Sequence, residues 1–447
     1  MIGFFLLGVG GIAAAFLGRE YGFSWATGSV DFDWLTSPLE RFKKRSASKP
    51  PSPKLPARTT LQKLATYEPN FSLVLFEDFL QALYARTQDA RGRGKLEKEL
   101  SAWLRLMPTT ELGKVRNVTA VKGVVIGAVR LLDADIDEAV SRATVTVEFE
   151  SSFTEEVTEE QRSKERMVWA VEHWKLSRSC RAQSRAPDEI HVFRCPRCGG
   201  PAEDVHAGAC PYCHETVSSG DYDWVVDEVT IVQREERPPQ LLGEVEEVGT
   251  DSPTKVDPEA IRMLRELSAR DPVFTFTDFQ ARVELVFSEL QIAWSEHDRK
   301  RMRPFVSSAL FEGHSYWMET YRRSKLRNIT QNARISLIQV AAVRSDKFFD
   351  SITVRVFATG LDYTISTETG ELLGGSKQKE RRYSEYWTFI RSVSRGGKAT
   401  ADRRCPHCGG ELSVNMAGNC EYCQALVTTG DFDWVLSRIE QDEAYAG

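Results

Sequence analysis

Eight of the nine cysteines stand in two frames of the same spacing, Cys195-Pro-Arg-Cys198 with Cys210-Pro-Tyr-Cys213, and Cys405-Pro-His-Cys408 with Cys420-Glu-Tyr-Cys423. In each frame eleven residues separate the two Cys-x-x-Cys pairs, and each cysteine of the second frame lies 210 residues after its counterpart. A Cys-x-x-Cys turn aims two sulfurs at one point. Two such turns offer four thiolates at the corners of a tetrahedron, which suits zinc and leaves no open coordination position. Pro196 and Pro406 stiffen the first turn, and Gly199-Gly200 and Gly409-Gly410 let the chain bend after it. Ala207-Gly208 and Ala417-Gly418 then prepare the second turn. The pattern is that of a zinc ribbon. The expected cofactors are two structural zinc ions, one held by Cys195, Cys198, Cys210 and Cys213, the other by Cys405, Cys408, Cys420 and Cys423.

A closed four-thiolate site holds structure and does not activate water, so no catalytic residue is assigned to it. The competing reading is two disulfides per frame, which belongs to an oxidising compartment. Adjacent Cys-x-x-Cys pairs framed by proline and glycine read as metal sites instead, and thiols kept free for zinc imply a reducing space such as the cytosol. Cys180 has no partner in the second half and reads as a partly buried thiol. Both ribbons end in one tail, Gly220-Asp221-Tyr222-Asp223-Trp224-Val225 and Gly430-Asp431-Phe432-Asp433-Trp434-Val435. The expectation is a last strand whose tryptophan covers the zinc knuckle. A third copy, Asp31-Phe32-Asp33-Trp34, has no cysteines before it.

These frames sit in a longer plan. The chain has 447 residues and a net charge of −6, so no global basic field favours nucleic acid. Met1 to Leu17 carry no charge. Seventeen helical residues span about 25 Å, slightly less than the ~30 Å hydrocarbon core of a bilayer. A basic run follows, Arg41-Phe42-Lys43-Lys44-Arg45 with Lys49, Lys54 and Arg58. The positive-inside rule puts that side, and all after it, in the cytoplasm. A secretory signal peptide fits less well, for lack of a basic start and a clean small-x-small cleavage site.

The expected plan is therefore a transmembrane helix over 1–18 and a basic, proline-rich linker over 19–58. A first domain (59–190) and zinc ribbon (191–230) follow, then an acidic linker (231–257), a second domain (258–400) and a second ribbon (401–440). The two domains repeat each other. Leu61, Leu64, Pro69, Phe71, Phe76, Tyr84 and Gln88 match Leu264, Leu267, Pro272, Phe274, Phe279, Phe287 and Gln291 at an offset of 203. Glu172-His173-Trp174 with Arg178-Ser179 match Glu385-Tyr386-Trp387 with Arg391-Ser392 at 213. Val115 to Thr119 match Leu326 to Thr330 at 211, so the first copy is shorter around residues 91 to 114.

Within a copy, helices come first and strands after. Val283, Val286, Phe287, Leu290 and Trp294 make one helical stripe, and a second helix is expected from Arg299 to Tyr321. Thr144 to Glu150 and Ser351 to Phe357 alternate as half-buried strands. Tyr386 to Val393 is apolar on both faces, as a central strand should be. The fold class is α+β: two cone-like domains, each with helices on a curved antiparallel sheet and each followed by a small zinc ribbon, behind an N-terminal apolar helix.

The second copy resembles the C-terminal domain family of the mitochondrial import-motor tether (Tim forty-four). Phe287 to Asp298, with its Ala293-Trp294 pair, carries the resemblance, together with Met302-Arg303-Pro304-Phe305, Ile352 to Val356, and Glu385-Tyr-Trp387-Thr-Phe389-Ile-Arg391. The first copy lacks the Ala-Trp and Arg-Pro-Phe signatures, and its assignment leans on the internal repeat. The resemblance implies a fold like nuclear transport factor two, and a non-enzymatic role binding lipid or protein at a membrane during transport. The ribbons are not part of the mitochondrial protein, so its partners are not carried over.

The expectation is a single-pass membrane protein, the bulk of it facing the cytoplasm, that serves as an adaptor for protein or lipid. One alternative is nucleic-acid binding by the ribbons. Arg194, Arg197, Arg403 and Arg404 favour it, while Glu203, Asp204, Asp221, Asp223, Asp431 and Asp433 in the same modules oppose it. The other is a cone-fold enzyme with a buried acid or base, for which the seven histidines offer no recurring spacing with carboxylates. Trp294, Trp387 and Phe389 read as core before they read as pocket lining. His206, His214 and His407 read as spare to the four sulfurs.

Overall fold

Two short polar residues start the two long helices. Ser72 accepts a hydrogen bond from the Leu75 amide at the head of α2 (Leu73–Gly92), after the short α1 (Ala57–Gln62). Thr275 does the same for Asp278 at the head of α5 (Phe276–Glu296), after α4 (Ala260–Arg270). Phe76, Leu80, Leu83 and Tyr84 line the buried side of α2. Phe279, Val283, Val286, Leu290 and Trp294 line that of α5, as their spacing predicts. This computed structural model describes residues 56–105, 112, 117–159, 162–190, 192–236, 249–442, 444, 445 and 447. The apolar helix expected over 1–18, the linker before residue 56 and the Asp-Phe-Asp-Trp copy at 31–34 lie outside the described residues. Among those described, no helix is long and apolar enough to cross a membrane.

Each long helix lies on a four-stranded antiparallel sheet. The first sheet runs β1 (Val118–Asp137), β2 (Arg142–Glu159), β3 (Arg162–Ser179), β4 (Val225–Glu236), in that order across the sheet. The second repeats it with β5 (Leu326–Ser345), β6 (Phe349–Ser366), β7 (Leu372–Ser392), β8 (Val435–Gln441). Register shifts interrupt β1 against β2 at four places and β5 against β6 at three, and such bulges bend and twist a sheet toward a cone. Val145, Val147 and Phe149 on β2, and Ile352, Val354 and Val356 on β6, face the helices and are buried. The fold class is thus α+β with two antiparallel sheets, and the repeat extends from sequence to topology.

The strand order also places the ribbons. Each cysteine frame follows the third strand of its sheet, and the chain then returns as the fourth, so β4 pairs with β3 and β8 with β7. The span expected to be an acidic linker, 231–257, divides: residues 231–236 extend β4, and Ser252 to Lys255 lie against the outer face of the second sheet. There Arg355 donates to the Ser252 carbonyl at 2.7 Å, and the Lys255 amide donates to the Tyr386 hydroxyl at 2.9 Å.

The helix expected from Arg299 to Tyr321 is broken. α6 (Arg299–Met302) runs into a single 3-10 turn at Arg303–Phe305, and α7 (Ser308–Arg323) starts afresh with Ser307 as its cap. The cause is a strand contact. Val306 and Ser307 turn extended to meet the outer edge of β8, where the Ser307 amide donates to the Leu436 carbonyl at 2.9 Å. The first unit keeps the contact, from the Val226 amide to the Trp103 carbonyl at 2.8 Å. α3 (Leu96–Leu100) precedes this contact as α6 precedes that of the second unit.

β7 is a central strand, as expected, and residues 383–392 are buried on both faces. One face meets α5. The other receives the first unit, whose apolar core takes in Phe349 and Ile390 of the second. At this junction Arg58 donates to Glu77 at 2.9 Å and to Glu440 at 3.1 Å, Arg438 pairs with Glu77, and Lys347 with Asn70. Although burial opposes it, Arg438 and Arg58 hold the Glu77 carboxyl below the usual carboxylate range.

His314 on α7 is buried and hydrogen-bonded through Nδ1 to the Leu310 carbonyl at 2.9 Å. Burial depresses its pKa to about 4. The unfolded chain would protonate it near pH 6.5, so the folded state is favoured above that pH and loses the advantage as pH falls toward 4. This group alone is expected to cost about 2 kcal/mol between pH 7.5 and pH 5. Urea unfolding at the two pH values, repeated on His314→Leu, checks it: the variant should show a flatter pH dependence by that amount.

Candidate metal centres

The four sulfurs of each frame converge. Within each tetrad all Sγ atoms lie within 4.8 Å of one another. Cys195 and Cys213 stand 3.9 Å apart, Cys198 and Cys210 3.8 Å, and Cys405 and Cys423 3.9 Å. A tetrahedral zinc with Zn–S bonds of about 2.3 Å needs sulfurs about 3.8 Å apart, whereas a disulfide needs about 2.05 Å. All nine cysteines are free thiols. The donor set and its spacing therefore fit a four-coordinate thiophilic ion and do not fit the disulfide reading.

The two tetrads are chemically alike. Burial, the largest single influence, works against ionising Cys210, yet the Cys213 and Tyr212 amides, hydrogen-bonded to its sulfur, bring the thiol down to about 7. Burial pushes the Cys195 thiol up to about 12. Cys420 at about 7 and Cys405 at about 12 repeat the pair. Two sulfurs of each tetrad are buried and join the apolar core of their unit, while Cys198 and Cys408 face solvent. Each ribbon is thus a patch of the core wall with an exposed knuckle.

The tail after each tetrad was expected to cover the knuckle with its tryptophan, and the structure corrects this. In the repeated Asp-aromatic-Asp-Trp run, the two aromatic side chains go to different places. The first aromatic stays with the ribbon: Arg197 lies over Tyr222 at 5.7 Å, and His407 meets Phe432 edge-on at 4.9 Å. The tryptophan enters the cone instead. Trp224 lies 4.6 Å from Phe76 with Arg178 over its ring at 5.5 Å; Trp434 lies 5.2 Å from Phe279 with Arg391 over it at 4.7 Å. The second aspartate pins the turn, for Asp223 and Asp433 each accept the amide of the next residue, at 2.8 and 2.7 Å. The Gly430 carbonyl accepts the Ser392 amide at 2.9 Å. Gly430 has φ +89°, and an added Cβ would sit 3.2 Å from Arg391 Cα, so glycine is required there twice over.

The buried arginines close this cluster. Arg391 reaches Asp271 at 3.0 Å and the Gly397 carbonyl at 2.7 Å. Arg178 reaches the Ala182 carbonyl at 2.5 Å and Ser184 at 3.2 Å, with Glu68 at 3.8 Å. Sequence reasoning flagged the tryptophans and the Arg-Ser pairs as repeats but did not join them. Their constant offsets, 210 and 213, were the available signal. His407 stands beside the second tetrad, its Nδ1 3.3 Å from the Cys423 sulfur. Cys180 is fully buried rather than partly, and burial raises its pKa.

Trp294, Trp387 and Phe389 are core residues. Two buried carboxylates at matching positions of β3 and β7, Glu172 and Glu385, are raised in pKa, chiefly by burial, and are bound on both oxygens. Glu172 accepts from Gln88 at 3.1 Å and Trp174 at 2.8 Å; Glu385 accepts from Gln441 at 2.8 Å and Trp387 at 3.0 Å.

The comparisons bear on part of this chain. No curated protein matches it. A solved structure described as an "Ntf2 like protein involved in plasmid conjugation" is 8% identical over 77% of this chain and 92% of its own, with a TM-score of 0.15, a likeness too slight to weigh on the fold. Residues 260–400 match the Tim44-like domain; the stretch takes in α4 to α7 and β5 to β7 and stops short of the second tetrad.

Proposed function

We propose that the chain is a membrane-associated, non-enzymatic docking protein of the kind that takes part in protein transport, and that its ligands are protein or lipid at a membrane. The observation that carries this is the Tim44-like match over residues 260–400. The repeated topology supports it, because two linked units raise the effective concentration for a repeated or extended partner. The two tetrads hold one structural zinc ion each: the fixed sulfurs supply a complete shell, and the ribbons have few apolar residues of their own to replace it.

Two measurements test the reading. Full-length protein should sediment with membranes, resist high-salt extraction and be released by detergent; recovery in the soluble fraction, with no lipid or protein captured, would sink the docking proposal. Protein purified in reducing, chelator-free buffer should carry two zinc ions per chain by atomic emission, falling to one in Cys195→Ser or Cys405→Ser. Fewer than two in the unaltered chain would count against the metal assignment.

A further inference from the structure

We infer that the second tetrad, and not the first, controls the docking of the two units: metal at Cys405, Cys408, Cys420 and Cys423 keeps them together, and its loss there loosens the junction. The inference rests on the reading of the tetrads as zinc sites. Two routes lead from the second ribbon to the junction. The first is β8. The ribbon closes on itself through the Val427 amide to the Gly418 carbonyl at 3.0 Å, and the Gly430–Trp434 turn then delivers the chain into β8. β8 carries Arg438 and Glu440. Arg438 pairs with Glu77 and with Glu440 at 3.0 Å, and Arg58 spans Glu77 and Glu440 at 2.9 and 3.1 Å. None of these four side chains is more than 25% exposed, so solvent screens the cluster weakly. If β8 moves, Arg58 and Glu77 of the first unit each lose a buried partner.

The second route is α7. Arg303 is buried and donates from Nε to the Met416 carbonyl of the ribbon at 2.9 Å. Its other nitrogens reach the Val306 carbonyl and the Ser308 hydroxyl, both at 3.1 Å, and its guanidinium lies over Phe311 at 4.8 Å. The ribbon thereby fixes the start of α7, which packs against β1 of the first unit. β8, α7, β1 and α2 together surround a cavity of about 100 Å³ at the junction, lined among others by Glu77, Arg130, Leu310, His314 and Arg438.

The first ribbon has the same fold and different consequences. Its ties end inside its own unit, from Ser101 to the Val205 carbonyl at 2.6 Å and from Arg105 to the Ser219 carbonyl at 2.8 Å. At the positions of Arg438 and Glu440, 210 residues earlier, β4 has Glu228 and Thr230. β4 is also held over 12 residues, β8 over only 7, so β8 depends more on the clamp at its start. A metal-bound ribbon without its ion loses the interaction that folds it, since few apolar side chains there can substitute.

Hydrogen exchange read by mass spectrometry on the full-length chain tests this, with zinc counted in each sample. Cys420→Ser is expected to keep one zinc and to speed exchange at least tenfold in residues 126–130 of β1 and in the first turns of α2, with α5 still protected. Cys210→Ser should also keep one zinc and leave those junction peptides at the rate of the unaltered chain. Arg438→Ala, with both zinc ions bound, should reproduce the junction effect without disturbing the ribbon. Junction peptides indifferent to Cys420→Ser, equally fast in Cys210→Ser, or fast only together with α5, would overturn the inference while leaving the zinc assignment standing. An unaltered chain without zinc would remove both.

Discussion

Trp434→Ala is expected to cost the second unit about 4 kcal/mol, the usual penalty for emptying a large aromatic from a packed core. The site cannot collapse easily, because Trp434 is fully buried between Phe274, Phe279 and Arg391 and its neighbours are held by strand pairing. Desolvated stacking of a guanidinium on an indole adds about 2 kcal/mol to what is lost. Tyr422→Ala, on the exposed knuckle of the same ribbon at 64% exposure, should change stability by less than about 0.5 kcal/mol. Calorimetry on the full chain distinguishes the two variants. Loss of the second unit's transition in Trp434→Ala, with the first unit's retained, is the expected result; equal effects from both variants would show that the tryptophan belongs to the knuckle after all.

Arg391→Met is expected to be nearly as severe, costing about 3–5 kcal/mol, since it leaves a carboxylate without its buried partner. Burial opposes ionisation of Asp271, and the Gly397 amide and Arg391 outweigh it, keeping the carboxyl below its ordinary value. Without the arginine that value should rise, and the added loss of stability should shrink as pH falls and Asp271 protonates. Adding Asp271→Asn to Arg391→Met should recover part of the loss, because no charge is then stranded. Arg178→Met in the first unit should cost less. Its nearest carboxylate, Glu68, is 3.8 Å away and its main acceptors are the Ala182 carbonyl and Ser184, so the substitution strands neutral groups. Urea unfolding of Arg391→Met, Asp271→Asn and the double variant measures the coupling directly, with Arg178→Met run alongside. An Arg178→Met penalty equal to that of Arg391→Met would contradict the assignment of the charge pair.

Much of the fold was legible because its signals are local. Val145, Val147 and Phe149 alternate, Val283 to Trp294 recur at helical spacing, and both patterns stand in the structure as a strand face and a helix face. The helix read across residues 299–321 failed because its break is tertiary: Val306 and Ser307 leave the helix to pair with an edge strand 130 residues away.

The sequence by itself determined the two four-thiol frames and the internal repeat. Four thiols at a fixed spacing converge through short-range turns whichever core they lie on, and a constant offset between copies is a property of the chain alone. Only the tertiary structure decided where the ribbons belong. They lie between the third and fourth strands, so the tryptophan after each tetrad packs into the cone while the aromatic two residues before it stays on the ribbon. That outcome depends on which strand β4 and β8 join, and on Arg178 and Arg391 arriving from residues more than 40 positions away. The junction was equally hidden: Arg58, Glu77, Arg438 and Glu440 are surface charges in any local reading, and only the packing of one unit on the other buries them together.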